Sequence, residues 1–128
     1  MSDNYINVAS PSYPSTRMRR NRQTNWSRRL IEENRLSVND LILPIFITDG
    51  DKKTVINSMP GVYRTPISQI IETVQEAKEL GIPAIALFPE TNTALKDEQG
   101  TEALNDKNLI CRATNLIKKN INDIGIIT

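Results

Sequence analysis

The sequence predicts an α/β protein built on a parallel β-sheet with helices packed against it. Three short apolar runs, at residues 41–47, 84–88 and 124–128, have the composition of strands that are buried on both faces. Two amphipathic helical segments lie between them. Strand, helix and strand in alternation are typical of β-α-β units. This order is compatible with a TIM barrel and with a doubly wound sheet, and it does not distinguish the two.

The composition restricts the class of protein. With 128 residues, 38% hydrophobic and 24% charged, the chain is in the range of one modest globular domain. Cys111 is the only cysteine, so an intramolecular disulfide is excluded and a reducing compartment is expected. There is no histidine, which excludes a Ser-His-Asp triad within these residues. No apolar run approaches the ~20 residues of a membrane span, and residues 1–15 lack the apolar core of a secretory signal. We expect a cytoplasmic protein without a membrane partner.

Residues 1–24 are predicted to form an extended N-terminal arm. They show no sustained apolar period and contain Pro11 and Pro14. Residues 1–29 hold six arginines and one aspartate, a net charge of +5, so the other residues sum to −4 in a chain of net charge +1. The apolar residues of the arm alternate with polar ones, as in a strand: Tyr5, Ile6, Val8 and Tyr13. Four arginines offer donors for carboxylates on a neighbouring subunit: Arg17, Arg19, Arg20 and Arg22.

Residues 25–128 are predicted to form the first part of the barrel or sheet. Asn25 is expected to cap a short helix that reaches about residue 34, with an apolar face of Trp26, Leu30 and Ile31. The first strand, residues 41–47, contains Pro44, which removes one hydrogen bond from a central strand.

The clearest helix follows a predicted type II turn at residues 59–62, which has Pro and Gly in its central positions. Thr65 is the expected cap and Pro66 the expected first helical residue, and Gly81 ends the helix in a left-handed conformation. A second amphipathic helix is expected to end near Asn120. Three parallel strands would leave unpaired edges and an uncovered apolar face, so we expect a truncated fold.

Composition and spacing alone leave the function undetermined. There is no Gly-rich phosphate-binding motif, and adjacent carboxylates such as Asp97 and Glu98 are expected to be solvated surface. Cys111 is expected to be a packed thiol, because no histidine is present to activate it. Phe88 ends a predicted strand, where barrel pockets open, although a place in the ordinary core is equally compatible with the pattern.

Several segments, in order and with natural spacing, resemble the bacterial porphobilinogen synthases (5-aminolevulinate dehydratases). The resemblance covers residues 13–128. It includes the arm and first helix, the first strand with its proline, the loop after that strand, the second strand and the loop that follows. The matching segments are YPSTRMRRNR (13–22), SRRL (27–30), EN (33–34), LS (36–37), NDLILPIF (39–46), SMPGVYR (58–64), LGIPAIALFP (80–89), LKDEQG (95–100) and Asn105.

The resemblance implies a TIM (β/α)8 barrel whose N-terminal arm contacts a neighbouring subunit, commonly in a homo-octamer. The implied reaction is a lyase reaction of haem and tetrapyrrole biosynthesis, the condensation of two 5-aminolevulinate molecules to porphobilinogen with loss of two waters. It further implies two Schiff-base lysines on late strands and a divalent metal, magnesium or zinc. Phe88 matches a residue that lines the substrate pocket. No catalytic or metal-binding residue of the family matches a position in these 128 residues, so the segment alone is expected to be inactive.

Two alternatives stay open. The chain could be a non-catalytic truncated subunit that acts only in oligomer contacts. It could also be a module that binds nucleic acid through its basic arm, although aromatic residues for base stacking are not interleaved with the arginines. We expect the synthase function and no nucleic-acid partner.

Overall fold

The computed structural model describes residues 12–17 and 19–128. The described residues divide into two compact units, one before residue 36 and one over residues 36–128. Of the predicted strand-like arm residues, Tyr5, Ile6 and Val8 lie outside the described residues.

The described part of the first unit contains one 3-10 turn, Arg20–Arg22, and one short helix, α1 (Asn25–Leu30). The prediction of a helix to residue 34, capped by Asn25, was wrong. Thr24 precedes the helix in an extended conformation, and Asn25 is its first residue. The predicted apolar face is also not buried, because Trp26 and Leu30 are 64% and 78% exposed. Ser27 is buried instead, and its hydroxyl donates to the Asn21 carbonyl at 2.9 Å.

The second unit is an α/β structure on a mostly parallel five-stranded sheet. Its strands are β1 (Ile42–Thr48), β2 (Thr54–Val55), β3 (Tyr63–Pro66), β4 (Ala84–Pro89) and β5 (Gly125–Ile127), in the order β2-β3-β1-β4-β5. β1 pairs in parallel with β3 and β4, and β4 with β5, whereas β2 is antiparallel to β3. The three predicted strands are confirmed. The two short strands β2 and β3 were not predicted.

The predicted start of the first long helix was wrong. Thr65 and Pro66 belong to β3, where they pair with Ile47 and Thr48 and are buried. A 3-10 turn, Ile67–Gln69, then leads into helix α2 (Ile70–Glu79). Pairing with β1 overrides the local helix-start signal of Thr-Pro. Proline is tolerated here because it is the last residue of its strand.

Other local predictions are confirmed. Gly61 has φ +82°, and the Val62 amide donates to the Met59 carbonyl at 3.0 Å, as a type II turn requires. Gly81 has φ +79° and ends α2 in a Schellman motif, in which the amides of Gly81 and Ile82 donate to the carbonyls of Lys78 and Ala77.

Helix α3 (Leu109–Asn120) ends at the predicted residue. Its start is fixed by Asn108, whose side-chain oxygen accepts from the Cys111 amide at 2.8 Å. None of the helices in residues 12–17 and 19–128 is both long and apolar enough to cross a bilayer.

The core lies between one face of the sheet and the two helices. Alternate residues of β1 and β4 pack there against α2 and α3. The fully or nearly fully buried side chains are Ile45, Ile47, Ile70, Val74, Ala77, Ile85, Leu87, Leu109, Ala113, Ile117 and Ile121.

The opposite face of the sheet, which we call the open face, is not covered by α2 or α3. By the strand register it carries Ile42, Pro44, Phe46, Ala84, Ala86, Phe88, Gly125 and Ile127. Ile42, Phe88 and Ile127 are about half exposed. An apolar sheet face of this extent is typical of a surface that another layer covers.

Candidate active-site edge of the sheet

Phe88 lies on the open face near the carboxyl end of β4. Its ring stacks on Phe46 of β1, with 5.4 Å between ring centroids and 29° between ring planes. The side chain of Phe88 remains 48% exposed. Phe88 is therefore outside the helix-side core, on the surface that the parallel strands present at their carboxyl ends. Its assignment to a substrate pocket stays a prediction.

A polar cluster that sequence reasoning missed lies beside Phe88. We call Thr48, Arg64 and Glu90 the Glu90 cluster. One carboxylate oxygen of Glu90 accepts from the Thr48 hydroxyl at 2.7 Å, and the other lies 3.1 Å from Arg64 Nε. The Thr48 hydroxyl oxygen in turn accepts from the Gly50 amide at 3.2 Å. These bonds join the carboxyl end of β1 and the residue that follows β4 to Arg64, the second residue of β3.

The loops beyond this edge surround an open cleft of about 1250 Å³. The Arg112 guanidinium of α3 pairs with the Asp49 carboxylate, which lies just after β1. Asp97 also lines the cleft, and hydrogen bonds from the side chain and backbone of Thr101 lower its pKa from the usual 3.8. Lys96 and Lys107 also line the cleft. The cleft therefore has charged side chains of both signs, and its lining includes Pro89 and Glu90, the two residues that follow Phe88.

The predicted arm arginines lie in the first unit. Arg17, Arg19 and Arg22 line one surface cleft together with Tyr13, and Arg20 is exposed in the adjacent 3-10 turn. The Arg17 guanidinium lies 5.5 Å from the centre of the Tyr13 ring. Within residues 12–17 and 19–35, none of the arginines forms an ion pair with a carboxylate. Their role in subunit contact stays a prediction.

The family model of delta-aminolevulinic acid dehydratase matches residues 15–128 of the chain. The chain belongs to this family.

Similarity to individual delta-aminolevulinic acid dehydratases supports this assignment. The chain is 46% identical over 122 residues to the enzyme of Bradyrhizobium diazoefficiens, a match that covers 94% of this chain and 35% of the relative. It is 43% identical over 119 residues to that of Synechocystis sp., covering 90% of this chain and 35% of the relative. The chain thus spans about a third of the length of these relatives.

A crystal structure of the Toxoplasma gondii delta-aminolevulinic acid dehydratase (porphobilinogen synthase), in complex with the reaction product porphobilinogen, has a similar fold. The TM-score is 0.76 at 34% identity, and the match covers 87% of this chain and 32% of that chain. The similarity extends the family assignment to the three-dimensional structure.

Delta-aminolevulinic acid dehydratases use a divalent metal. The described residues of this chain do not group three His, Cys, Asp or Glu side chains where a metal ion could be held. Cys111 is half-buried in α3, next to the Arg112 that pairs with Asp49. The donor set of a metal site is therefore not assembled within residues 12–17 and 19–128.

Proposed function

We propose that these residues form the N-terminal arm (1–24) and the first β/α units (25–128) of a TIM-barrel porphobilinogen synthase. The complete enzyme condenses two 5-aminolevulinate molecules to porphobilinogen in tetrapyrrole synthesis. The match of the family model to residues 15–128 carries the proposal. The porphobilinogen bound to the similar Toxoplasma gondii enzyme supports the choice of reaction.

The open face supports the barrel part of the proposal. In a barrel, one face of every strand points to the interior and the other is covered by helices. Here α2 and α3 pack on a single face, and the open face carries small residues, Ala84, Ala86 and Gly125, along neighbouring strands. Small and apolar side chains on the open face would allow further strands to complete a barrel with this face as part of its interior.

The position of Phe88 supports its proposed role as a wall of the substrate pocket. Active sites of TIM barrels lie at the carboxyl ends of the strands. Phe88 is at that end of β4, half exposed and on the open face. An aromatic ring at this point would contact the carbon chain of 5-aminolevulinate and exclude water from it, without taking part in proton transfer.

The remaining parts of the proposal come from the family. The two lysines that form Schiff bases with the substrates would lie on late strands, and none of the seven lysines here takes that role. The metal, magnesium or zinc, would polarise substrate oxygen or nitrogen groups when bound. The arm arginines would contact a neighbouring subunit of a cytoplasmic homo-oligomer, with an octamer as the expected size.

The test is the formation of porphobilinogen from 5-aminolevulinate by a full-length reading frame that includes these residues, with magnesium and with zinc. We expect product with one of the metals. The 128-residue chain alone should form none, and borohydride with substrate should leave no stoichiometric adduct on its lysines when analysed by mass spectrometry. An inactive full-length protein would contradict the proposal and favour a subunit that acts only in oligomer contacts.

A further inference from the structure

The Glu90 cluster connects three strands at the place where the proposed pocket opens. Glu90 uses both carboxylate oxygens, one toward Thr48 of β1 and one toward Arg64 of β3. Its backbone amide also donates to the Ile47 carbonyl at 2.8 Å. The residue directly after β4 is thereby fixed to both strands on one side of it.

Phe88 lies next to these contacts along β4. Phe88 lies two residues before Glu90 in the chain, and Phe46 lies two residues before Thr48. The rings of Phe88 and Phe46 stack on each other. The stacked rings are thus each two residues before one of the two partners of the hydrogen bond between Thr48 and Glu90. Because the Phe88 side chain is 48% exposed, burial in the core does not fix it.

We infer that Glu90 is a positioning residue, which holds the end of β4 so that Phe88 keeps its place in the wall of the substrate pocket. The inference rests on the proposed synthase function for its effect on substrate. Glu90 acts through Phe88 and contacts no reacting atom. Thr48, which is 6% exposed, is the hydroxyl donor of this arrangement.

Loss of the Glu90 side chain would leave two partly or nearly buried polar groups without their partners. The nearly buried Thr48 hydroxyl would lose its acceptor, and Arg64, whose side chain is 31% exposed, would lose its ion-pair partner. The strand end would move to satisfy these groups, and Phe88 would move with it. A wall residue that binds substrate and transition state equally affects KM and leaves kcat unchanged.

The experiment uses the full-length synthase that includes this segment. We expect Glu90→Ala and Thr48→Val to raise the KM for 5-aminolevulinate about 5- to 10-fold, in keeping with the net contribution of a typical hydrogen bond, with kcat within about twofold of wild type. Thr48→Ser keeps the hydroxyl and should retain the wild-type KM.

Glu98→Gln removes an exposed carboxylate of the following loop and is the matched control. A kcat that falls as much as KM rises, or a Thr48→Ser variant as impaired as Thr48→Val, would overturn the inference.

A double-mutant cycle tests whether Glu90 acts through Phe88. Phe88→Ala alone should raise KM, and adding Glu90→Ala should raise it no further, whereas additive effects would contradict the inference. If the wild-type full-length protein forms no porphobilinogen, the proposed function fails. Hydrogen exchange over residues 86–91 then decides the positioning role. Exchange about tenfold faster in Glu90→Ala than in Glu98→Gln supports it, and equal exchange overturns it.

Discussion

At the scale of single residues, short-range hydrogen bonds fix the ends of the connecting segments. Ser37 precedes the 3-10 turn Val38–Asp40, and both its amide and its hydroxyl donate to one Asp40 carboxylate oxygen, at 2.8 and 2.9 Å. These two bonds, the backbone one first, lower the pKa of Asp40 below its usual 3.8. Their contribution to stability is present above pH 3.8 and is lost as the pH falls through the lower pKa of the folded state.

We predict that Ser37→Ala raises the pKa of Asp40 part of the way toward 3.8. The hydroxyl bond is lost while the backbone bond remains, so the return is incomplete. A carboxyl-carbon NMR titration of the aspartates measures the change. Asp97 is the internal control, because its pKa is lowered by Thr101 and should not change. An unchanged Asp40 pKa in the variant would show that the Ser37 hydroxyl contributes nothing.

At the scale of elements, helix ends and strand ends determine where the chain turns. The Schellman motif at Gly81 redirects the chain from α2 into β4, which begins three residues later. An added Cβ at Gly81 would meet Val38 at 3.6 Å, an ordinary contact, so space is not the constraint. The constraint is the φ of +79°, because a residue with a Cβ adopts this left-handed conformation only at a cost in free energy.

We predict that Gly81→Ala lowers the free energy of unfolding of the full-length protein by about 1–2 kcal/mol. Gly50→Ala is the matched control, because Gly50 has no positive φ and its added Cβ would lie 3.6 Å from Thr48 Oγ1, also an ordinary contact. Urea unfolding followed by circular dichroism measures both. Equal stability of the two variants would show that the left-handed conformation is not retained in solution.

At the scale of the whole molecule, two surfaces are left for contacts that the described residues do not make. The open face of the sheet presents half-exposed Ile42, Phe88 and Ile127. Within residues 12–17 and 19–35, the arginines form no ion pair with a carboxylate. In the proposed enzyme the first surface is covered by further barrel strands, and the arm contacts a neighbouring subunit.

We predict that removal of residues 1–22 from the full-length protein lowers the oligomer mass measured by light scattering, while the helical signal of the barrel in circular dichroism is retained. Replacing Arg17, Arg19, Arg20 and Arg22 with Gln in the intact arm should weaken the oligomer in the same direction, because the charged donors for partner carboxylates are lost. Lys118→Gln with Lys119→Gln removes exposed charge from the end of α3 and is the control. An unchanged mass after the deletion would show that the arm is a solvated tail.

The candidate site was only partly predictable. Phe88 was placed at a strand end by its apolar run and by the family resemblance, and the structure puts it there. The sequence pattern does not single out Glu90, although this residue lies directly after a predicted strand. Its partners are 42 residues away at Thr48 and 26 positions away at Arg64, and only the strand register brings them together.

The sequence by itself determined the elements whose signals are local: the strands within residues 41–47, 84–88 and 124–128, the turn at Gly61, the Gly81 helix end and helix α3. Hydrophobic periodicity and backbone preference act over a few neighbouring residues, so the sequence alone is enough to predict these elements. The tertiary structure decided that Thr65 and Pro66 join a strand, that Trp26 stays exposed, and that Glu90 links β4 to β1 and β3. Each of these outcomes depends on what a residue packs against or bonds to, and pairing between distant strands sets those partners.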